Sequence, residues 1–356
     1  MDFAKTIVDW YAQHRRDLPW RDVGDPYKIW LSEVILQQTR VAQGLGYYKR
    51  FVSAYPTVED LARADEDDVM RLWQGLGYYS RARNLLKAAR EVARHGTFPT
   101  TYEGVRALPG VGDYTAAAIC SFAWGMPLPV IDGNVYRVLS RFFGIDLAID
   151  TTEGRKYFAA LAAHLLPPAG SADYNQGIMD FGATVCTPSQ PLCREGCPLA
   201  EACKAAAEQQ PDRYPVKSRR AAVRNRFFVY LFVTSEAGVW LHRRGPGDIW
   251  QGLYEFPLLE FNHKPTSSDV AAHPAMATLG IDPASLAEIV SGMKHVLTHR
   301  ILLADCYVAS PLRKLQEAPE GLLAVAPDEL PRYAMPTLLE RIKQRLISLG
   351  VQGIVR

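Results

Sequence analysis

Apolar residues recur at helical spacing along the first half of the chain and at strand spacing along the last third. Phe3, Ile7, Val8, Trp10 and Tyr11 form one helical stripe over residues 3–14, and Leu18-Pro-Trp-Arg21 breaks it. Asp25-Pro26 opens the next helix, with proline at a first-turn position. Its stretch Trp30-Leu-Ser-Glu-Val-Ile-Leu36 is apolar almost all round, which predicts burial. A third helix runs from Arg40 to about Ala54, and Thr57-x-x-Asp60 reads as a capping box. Gly75-Leu-Gly-Tyr-Tyr79 is a turn expected to display two aromatics, and a basic helix starts at Ser80. Helical periodicity continues to about residue 144, then over Thr151–Leu166 and Ser171–Val185. Residues 204–226 are polar and basic, with Lys217-Ser-Arg-Arg220 near their end, and read as a linker. Beyond them the period changes to strands at Phe227–Thr234, Val239–Arg243, Leu253–Leu259 and Ile301–Val308, with helical stretches near 268–279 and 336–348. The expected class is a mainly α N-terminal region followed by an α+β domain.

Composition narrows the function. With 356 residues, 48% of them hydrophobic, the chain can bury two or three cores. A net charge of +2 confines any nucleic-acid surface to a local patch. No apolar run reaches membrane-spanning length and Met1-Asp2-Phe3 begins no charged-then-apolar leader, so a cytoplasmic protein with no membrane partner is expected. Four of the six cysteines fall in Cys186-x6-Cys193-x3-Cys197-x5-Cys203, a clustering that suits a metal better than disulfides. Tetrahedral zinc and an iron–sulfur cluster both fit, and spacing alone does not choose between them. Cys120 and Cys306 lie in apolar runs and read as core thiols.

Two stretches carry the candidate chemistry. In Leu108-Pro-Gly-Val-Gly-Asp-Tyr-Thr-Ala116, Pro109 stops one helix, and Gly110 and Gly112 permit a tight turn before a new helix. That is a helix–hairpin–helix signature, whose free N–H groups can seat a phosphate. In Val130-Ile-Asp-Gly-Asn-Val-Tyr-Arg137, Asp132 stands where an N-cap stands, and the helix dipole is expected to favour its ionised form. Glu33, inside the apolar helix, is expected to be shifted the other way by burial. Either feature alone would read as plain architecture, a cap or a charge reaching solvent.

Together the residues resemble the MutY adenine-DNA glycosylases of the endonuclease III superfamily, over nearly the whole chain. Ser32-Glu-Val-Ile-Leu-Gln-Gln-Thr39, Gly75–Tyr79, Leu108–Ala116, Asp132-Gly-Asn-Val-Tyr-Arg137 and the cysteine loop carry the resemblance. It implies a helix–hairpin–helix glycosylase region over 1–203. A six-helix barrel module would span about 20–130, and an iron–sulfur module would form from about 1–19 and 131–203. A linker at 204–226 and a Nudix-like 8-oxoguanine recognition domain at 227–356 would follow. It implies a monomer that acts on double-stranded DNA, associates with the nucleoid, and removes adenine paired with 8-oxoguanine or guanine. By the same resemblance Glu33 protonates adenine N7, Asp132 stabilises the sugar cation, and Tyr114 and Asn134 surround that centre. Trp20, Arg21, Leu36, Gln176 and Met179 match the base pocket. Gln38, with Thr39 beside it, and Tyr78 match residues that wedge into the duplex, and Gly110 and Gly112 the phosphate-binding hairpin. Cys186, Cys193, Cys197 and Cys203 match the ligands of a [4Fe-4S] cluster, although the middle spacing is one residue longer than the family's. Leu297-Thr298-His299 matches a Phe-Ser-His loop that reads 8-oxoguanine.

Residues of this chain argue against three rival readings. Related enzymes that cut the strand carry lysine where this chain has Tyr114, which argues against an endonuclease III-like glycosylase acting on pyrimidines. Glu33 and Asp132 argue against a non-enzymatic damage sensor. The Arg-Glu and paired-Glu helix of Nudix hydrolases is absent after Pro257.

Overall fold

The structure, a computed structural model, describes residues 1–218, 224–313 and 317–354. The chain forms two compact units, residues 1–63 with 87–220 and residues 64–86 with 221–356.

In chain order the helices of the N-terminal half are α1 (Phe3–His14), α2 (Pro26–Leu36), α3 (Val41–Ala54), α4 (Val58–Arg63), α5 (Glu66–Trp73) and α6 (Ser80–His95). They continue as α7 (Tyr102–Arg106), α8 (Asp113–Trp124), α9 (Gly133–Phe143), α10 (Thr152–Leu165), α11 (Ser171–Thr184) and the short α12 (Lys204–Ala207). Their boundaries follow local chemistry. The Asp25 carboxylate accepts from the Tyr27 and Lys28 N–H groups and so opens α2. Thr57 and Asp60 cap α4 reciprocally, each backbone N–H donating to the other's side chain. In the first unit, Phe3 and Ile7 of α1 pack with Val138 and Leu139 of α9, Phe158 of α10, and Ile178 and Phe181 of α11. Burying each such side chain contributes about 1.5–3 kcal/mol. Helices α9 and α11 approach so closely that a Cβ at Gly182 would lie 2.6 Å from the Asn134 Cβ.

Residues 204–218 pack on the same unit. Ala205 and Tyr214 are buried, the Ile149 N–H donates to the Val216 carbonyl at 3.0 Å, and the Ser218 N–H donates to Asp150 at 2.9 Å. Residues 219–223 of the polar stretch, with Arg219 and Arg220, lie outside the described residues.

In the second unit the described residues form β1 (Arg224–Ser235), β2 (Gly238–Arg243), β3 (Tyr254–Glu255), β4 (Leu258–Phe261), β5 (Ala287–Val296), β6 (Arg300–Ala309) and β7 (Leu323–Val325). The order is β3-β2-β1-β6-β5, with β4 paired to β1 and β7 to β2. Strands β1 and β6 run parallel, Arg224 opposite Arg300 through Val233 opposite Ala309, and the other pairs are antiparallel. The expected strand over 253–259 is two short ones, because Pro257 has no N–H for a ladder. Side chains of β1 alternate between two cores. Phe228, Tyr230 and Phe232 meet Leu338, Ile342 and Leu346 of the helix Thr337–Ser348. Val229, Leu231 and Val233 face Val270 and Met276. Burial on both faces explains the unbroken apolar run of this strand. Helix α5 is fastened to the sheet through Asp67, which accepts from the Tyr254 hydroxyl at 3.0 Å and from Arg243 at 3.1 Å. No helix among the described residues is long and apolar enough to cross a membrane.

Candidate active site

The first unit holds a cavity of about 680 Å³. The loop after α1 contributes Trp20 and Arg21. Helix α2 contributes Glu33 and Leu36, and the turn beyond it Gln38 and Thr39. Tyr114 enters from α8, Asp132 and Asn134 from the start of α9, and Gln176 and Met179 from α11. All eleven of these sequence-derived candidates therefore meet in one place.

Glu33 is 7% exposed, and burial pushes its carboxyl up to about 7. The Tyr114 hydroxyl donates to its Oε2 at 2.8 Å, which opposes the rise, while the charge of Asp132 adds to it. Near neutral pH this group is thus poised to hold or release a proton. Asp132 caps α9, its two oxygens accepting from the Val135 N–H at 2.8 Å and from Asn134 Nδ2 at 2.7 Å. The sequence suggests a carboxyl below the ordinary range, but in the structure Asp132 is raised. Its burial outweighs the hydrogen bonds and the nearby Arg137. The cap is real, and the desolvation comes from tertiary neighbours that a cap motif does not reveal.

Behind Asp132 runs a chain of polar contacts. Asn134 Oδ1 accepts from Arg137 Nη2 at 2.8 Å, the same nitrogen donates to the Gly182 carbonyl at 2.6 Å, and Arg137 Nε donates to the Cys186 carbonyl at 2.8 Å. The four cysteines 186, 193, 197 and 203 line one small cavity of about 20 Å³. Arg141 donates to Cys186 Sγ at 3.5 Å, and the Cys203 thiol donates to the Arg141 carbonyl at 3.4 Å. Among the described residues no group of three or more His, Cys, Asp or Glu is arranged to hold a single metal ion.

The hairpin lies apart from the cavity lining. Gly110 is left-handed at φ 76°, and Gly112 starts α8 with no side-chain cap, so its first N–H groups lack an acceptor from that position. A Cβ at Gly112 would meet nothing within 4 Å, leaving the backbone open to approach.

The remaining candidates belong to the second unit. Leu297-Thr298-His299 is the turn between β5 and β6, closed by the Leu297 N–H donating to the Arg300 carbonyl at 2.8 Å. Thr298 and His299 are exposed, while Leu297 packs against the core. The Tyr78 hydroxyl is hydrogen-bonded to Thr298 Oγ1, joining two motifs far apart in sequence. Only Tyr78 of the aromatic pair is displayed; Tyr79 is buried, and its hydroxyl accepts from the Gly75 N–H at 3.2 Å. Gln38 and Tyr78 are both non-glycine residues in left-handed geometry, at φ 56° and 45°. Residues held in such geometry cluster at functional sites.

Sequence reasoning missed a second polar group at the cavity edge. Asp180 is fully buried and accepts from Arg21 through both oxygens at 2.7 Å and from Arg16 Nε at 2.8 Å. A carboxylate between Met179 and Phe181 is the same signal that marks Glu33, and it could have been found that way. Tyr11 reads only as part of an apolar stripe, yet its hydroxyl donates to Gln176 Oε1 at 2.8 Å.

Residues 31–163 match the HhH-GPD superfamily base excision DNA repair protein family, and residues 228–345 match the NUDIX domain. The chain is 34% identical to the adenine DNA glycosylase of Buchnera aphidicola subsp. Acyrthosiphon pisum over 258 residues, 72% of this chain and 73% of that one. It is 44% identical to the Homo sapiens adenine DNA glycosylase over 214 residues, 57% of this chain and 39% of that one. A solved thermostable thymine-DNA glycosylase is similar at TM-score 0.53 and 32% identity, covering 58% of this chain and 95% of its own.

Proposed function

The chain belongs to the adenine DNA glycosylase family, and from that premise we propose that it hydrolyses the N-glycosidic bond of adenine opposite 8-oxoguanine or guanine in double-stranded DNA, leaving the strand intact. One observation carries the mechanism: a buried glutamic acid poised near neutrality shares its cavity with a capped aspartate. Adenine must leave the base stack to enter. Glu33 gives its proton to N7, so the base departs neutral as the C1′–N9 bond breaks. Asp132 then faces the positive charge developing on the sugar. Water adds to C1′, gives one proton back to the Glu33 carboxylate and yields an abasic site. Asn134, held by Arg137, keeps Asp132 aimed at that centre. Tyr114 has no amine with which to form a Schiff base and open the strand.

Gln38 and Tyr78 are assigned to the duplex interior, Gly110 and Gly112 to a backbone phosphate, and Leu297, Thr298 and His299 to the base opposite adenine. The division of labour is a glycosylase region over 1–203, a connection at 204–226 and a recognition domain over 227–356. The enzyme would act as a monomer on nucleoid DNA in the cytoplasm. The cysteines fit a [4Fe-4S] cluster. All four thiols line one cavity. Bound there, a cluster would crosslink residues 186–203. Arg137 and Arg141 grip the start of that loop through the carbonyls of Cys186 and Thr187.

The test is single-turnover base release from duplexes carrying adenine opposite 8-oxoguanine, adenine opposite guanine, or thymine glycol. Release from the first two, with strand scission only after alkali, is expected. Release from thymine glycol alone would overturn the reading. Elemental analysis should find about four iron atoms per chain.

A further inference from the structure

The base pocket contains an amide whose orientation decides what it can read. A glutamine side chain presents a donor at one end and an acceptor at the other, and a half-turn exchanges them. Gln176 lines the cavity, and its Oε1 accepts the Tyr11 hydroxyl at 2.8 Å. Tyr11 lies on α1, 4% exposed, with the Arg21 guanidinium 5.5 Å above its ring. That guanidinium is itself tied by both ends to the buried Asp180. The phenol is thereby walled in. Turning the amide over would cost the buried phenol proton the acceptor it has, which a desolvated donor tolerates poorly. With Oε1 so held, the Nε2 hydrogens remain for the pocket.

We propose that Tyr11 is a positioning residue for specificity: it pins Gln176 with its donor end toward the bound base, so that the pocket accepts a purine with a ring-nitrogen acceptor and rejects one with an N–H there. This rests on the reading of the cavity as an adenine pocket. The atom assigned to that donor is N1, which is unprotonated in adenine. Hypoxanthine carries a hydrogen on N1, so a pinned donor meets another donor, and rejection follows from an unpaired group rather than from size. A freely turning glutamine would present either end and lose this discrimination.

The experiment compares single-turnover release of adenine and of hypoxanthine, each opposite the same guanine, by full-length wild-type and Tyr11→Phe enzymes. Phenylalanine keeps the ring and removes only the hydroxyl. The hypoxanthine-to-adenine rate ratio should rise about tenfold, the scale of one misplaced hydrogen bond. In a Gln176→Met background, where no amide remains to turn, Tyr11→Phe should leave the ratio unchanged. Equal loss of both rates in Tyr11→Phe, with the ratio kept, would make Tyr11 merely structural and overturn the proposal. A rise of the ratio that persists in the Gln176→Met background would also overturn it, since the effect would then not pass through the amide. Failure of the wild-type enzyme to release adenine from any duplex would instead overturn the reading of the cavity.

Discussion

Two buried glutamates, one in each unit, have opposite surroundings. Glu255 on β3 is 1% exposed, and Arg244 Nη1 donates to both of its oxygens, at 2.9 and 2.7 Å. Arg244 in turn donates to Asp248, whose carboxyl is held far below its ordinary range by the bonded Arg226. Glu33 on α2 is buried to a similar degree and receives one neutral hydroxyl. Arg21 gives its hydrogen bonds to Asp180, and its charge lowers the Glu33 carboxyl by less than burial raises it. A paired buried carboxylate holds a fold together. An unpaired one holds its proton to higher pH, and in the mechanism proposed above that proton passes to adenine.

The contrast breaks most sharply on substitution. Glu33→Gln should bind a mispair yet lose base release by about 10²–10⁴-fold, because the donor is gone while the pocket stays polar. Asp132→Asn should lose release on the same scale. Near-normal turnover by Glu33→Gln in a single-turnover assay would remove it as the acid. Glu255→Gln should do the reverse. Arg244 would be left buried without its full partner, destabilising the fold by about 3–5 kcal/mol in denaturant titration, with little change in release by the folded fraction.

Titration sharpens the comparison further. The ordinary value for Glu33 is 4.5 and the folded value about 7. A raised carboxyl stabilises the fold relative to its ionised form below the lower value, and this contribution is lost as pH rises through about 7. The loss is about 3 kcal/mol, and Glu33→Gln, which cannot ionise, should escape it. Base release should fall as pH rises above about 7 for the same reason. Chemical denaturation at pH 5 and pH 8 together with a pH–rate profile checks both. The smallest effect concerns the opposite base. Thr298→Ala with His299→Ala should reduce the preference for 8-oxoguanine over guanine by about tenfold, the worth of one base-edge contact, without abolishing adenine release.

Much of this was legible from residue order. The long helices follow their apolar period, and Glu33 stands out as a charge inside an apolar run. The strand β5 was not legible. Gly292 at φ 61° and two register shifts break its alternation. The sense of the Asp132 shift was hidden as well, since a cap is a local motif and desolvation depends on helices distant in sequence. For the same reason the bonds from Tyr11 to Gln176 and from Arg16 to Asp180 left no pattern, as each joins residues more than 160 positions apart.

Gly182 brings no functional group to the cavity, yet its missing side chain lets Asn134 sit against α11. Any replacement must displace Asn134, and with it the bond that steadies Asp132. Loss of activity is therefore expected on substitution of a residue that does not line the cavity. A survey of variants ranked by chemical role would pass over it, whereas one ranked by interhelical clearance would put it near the top.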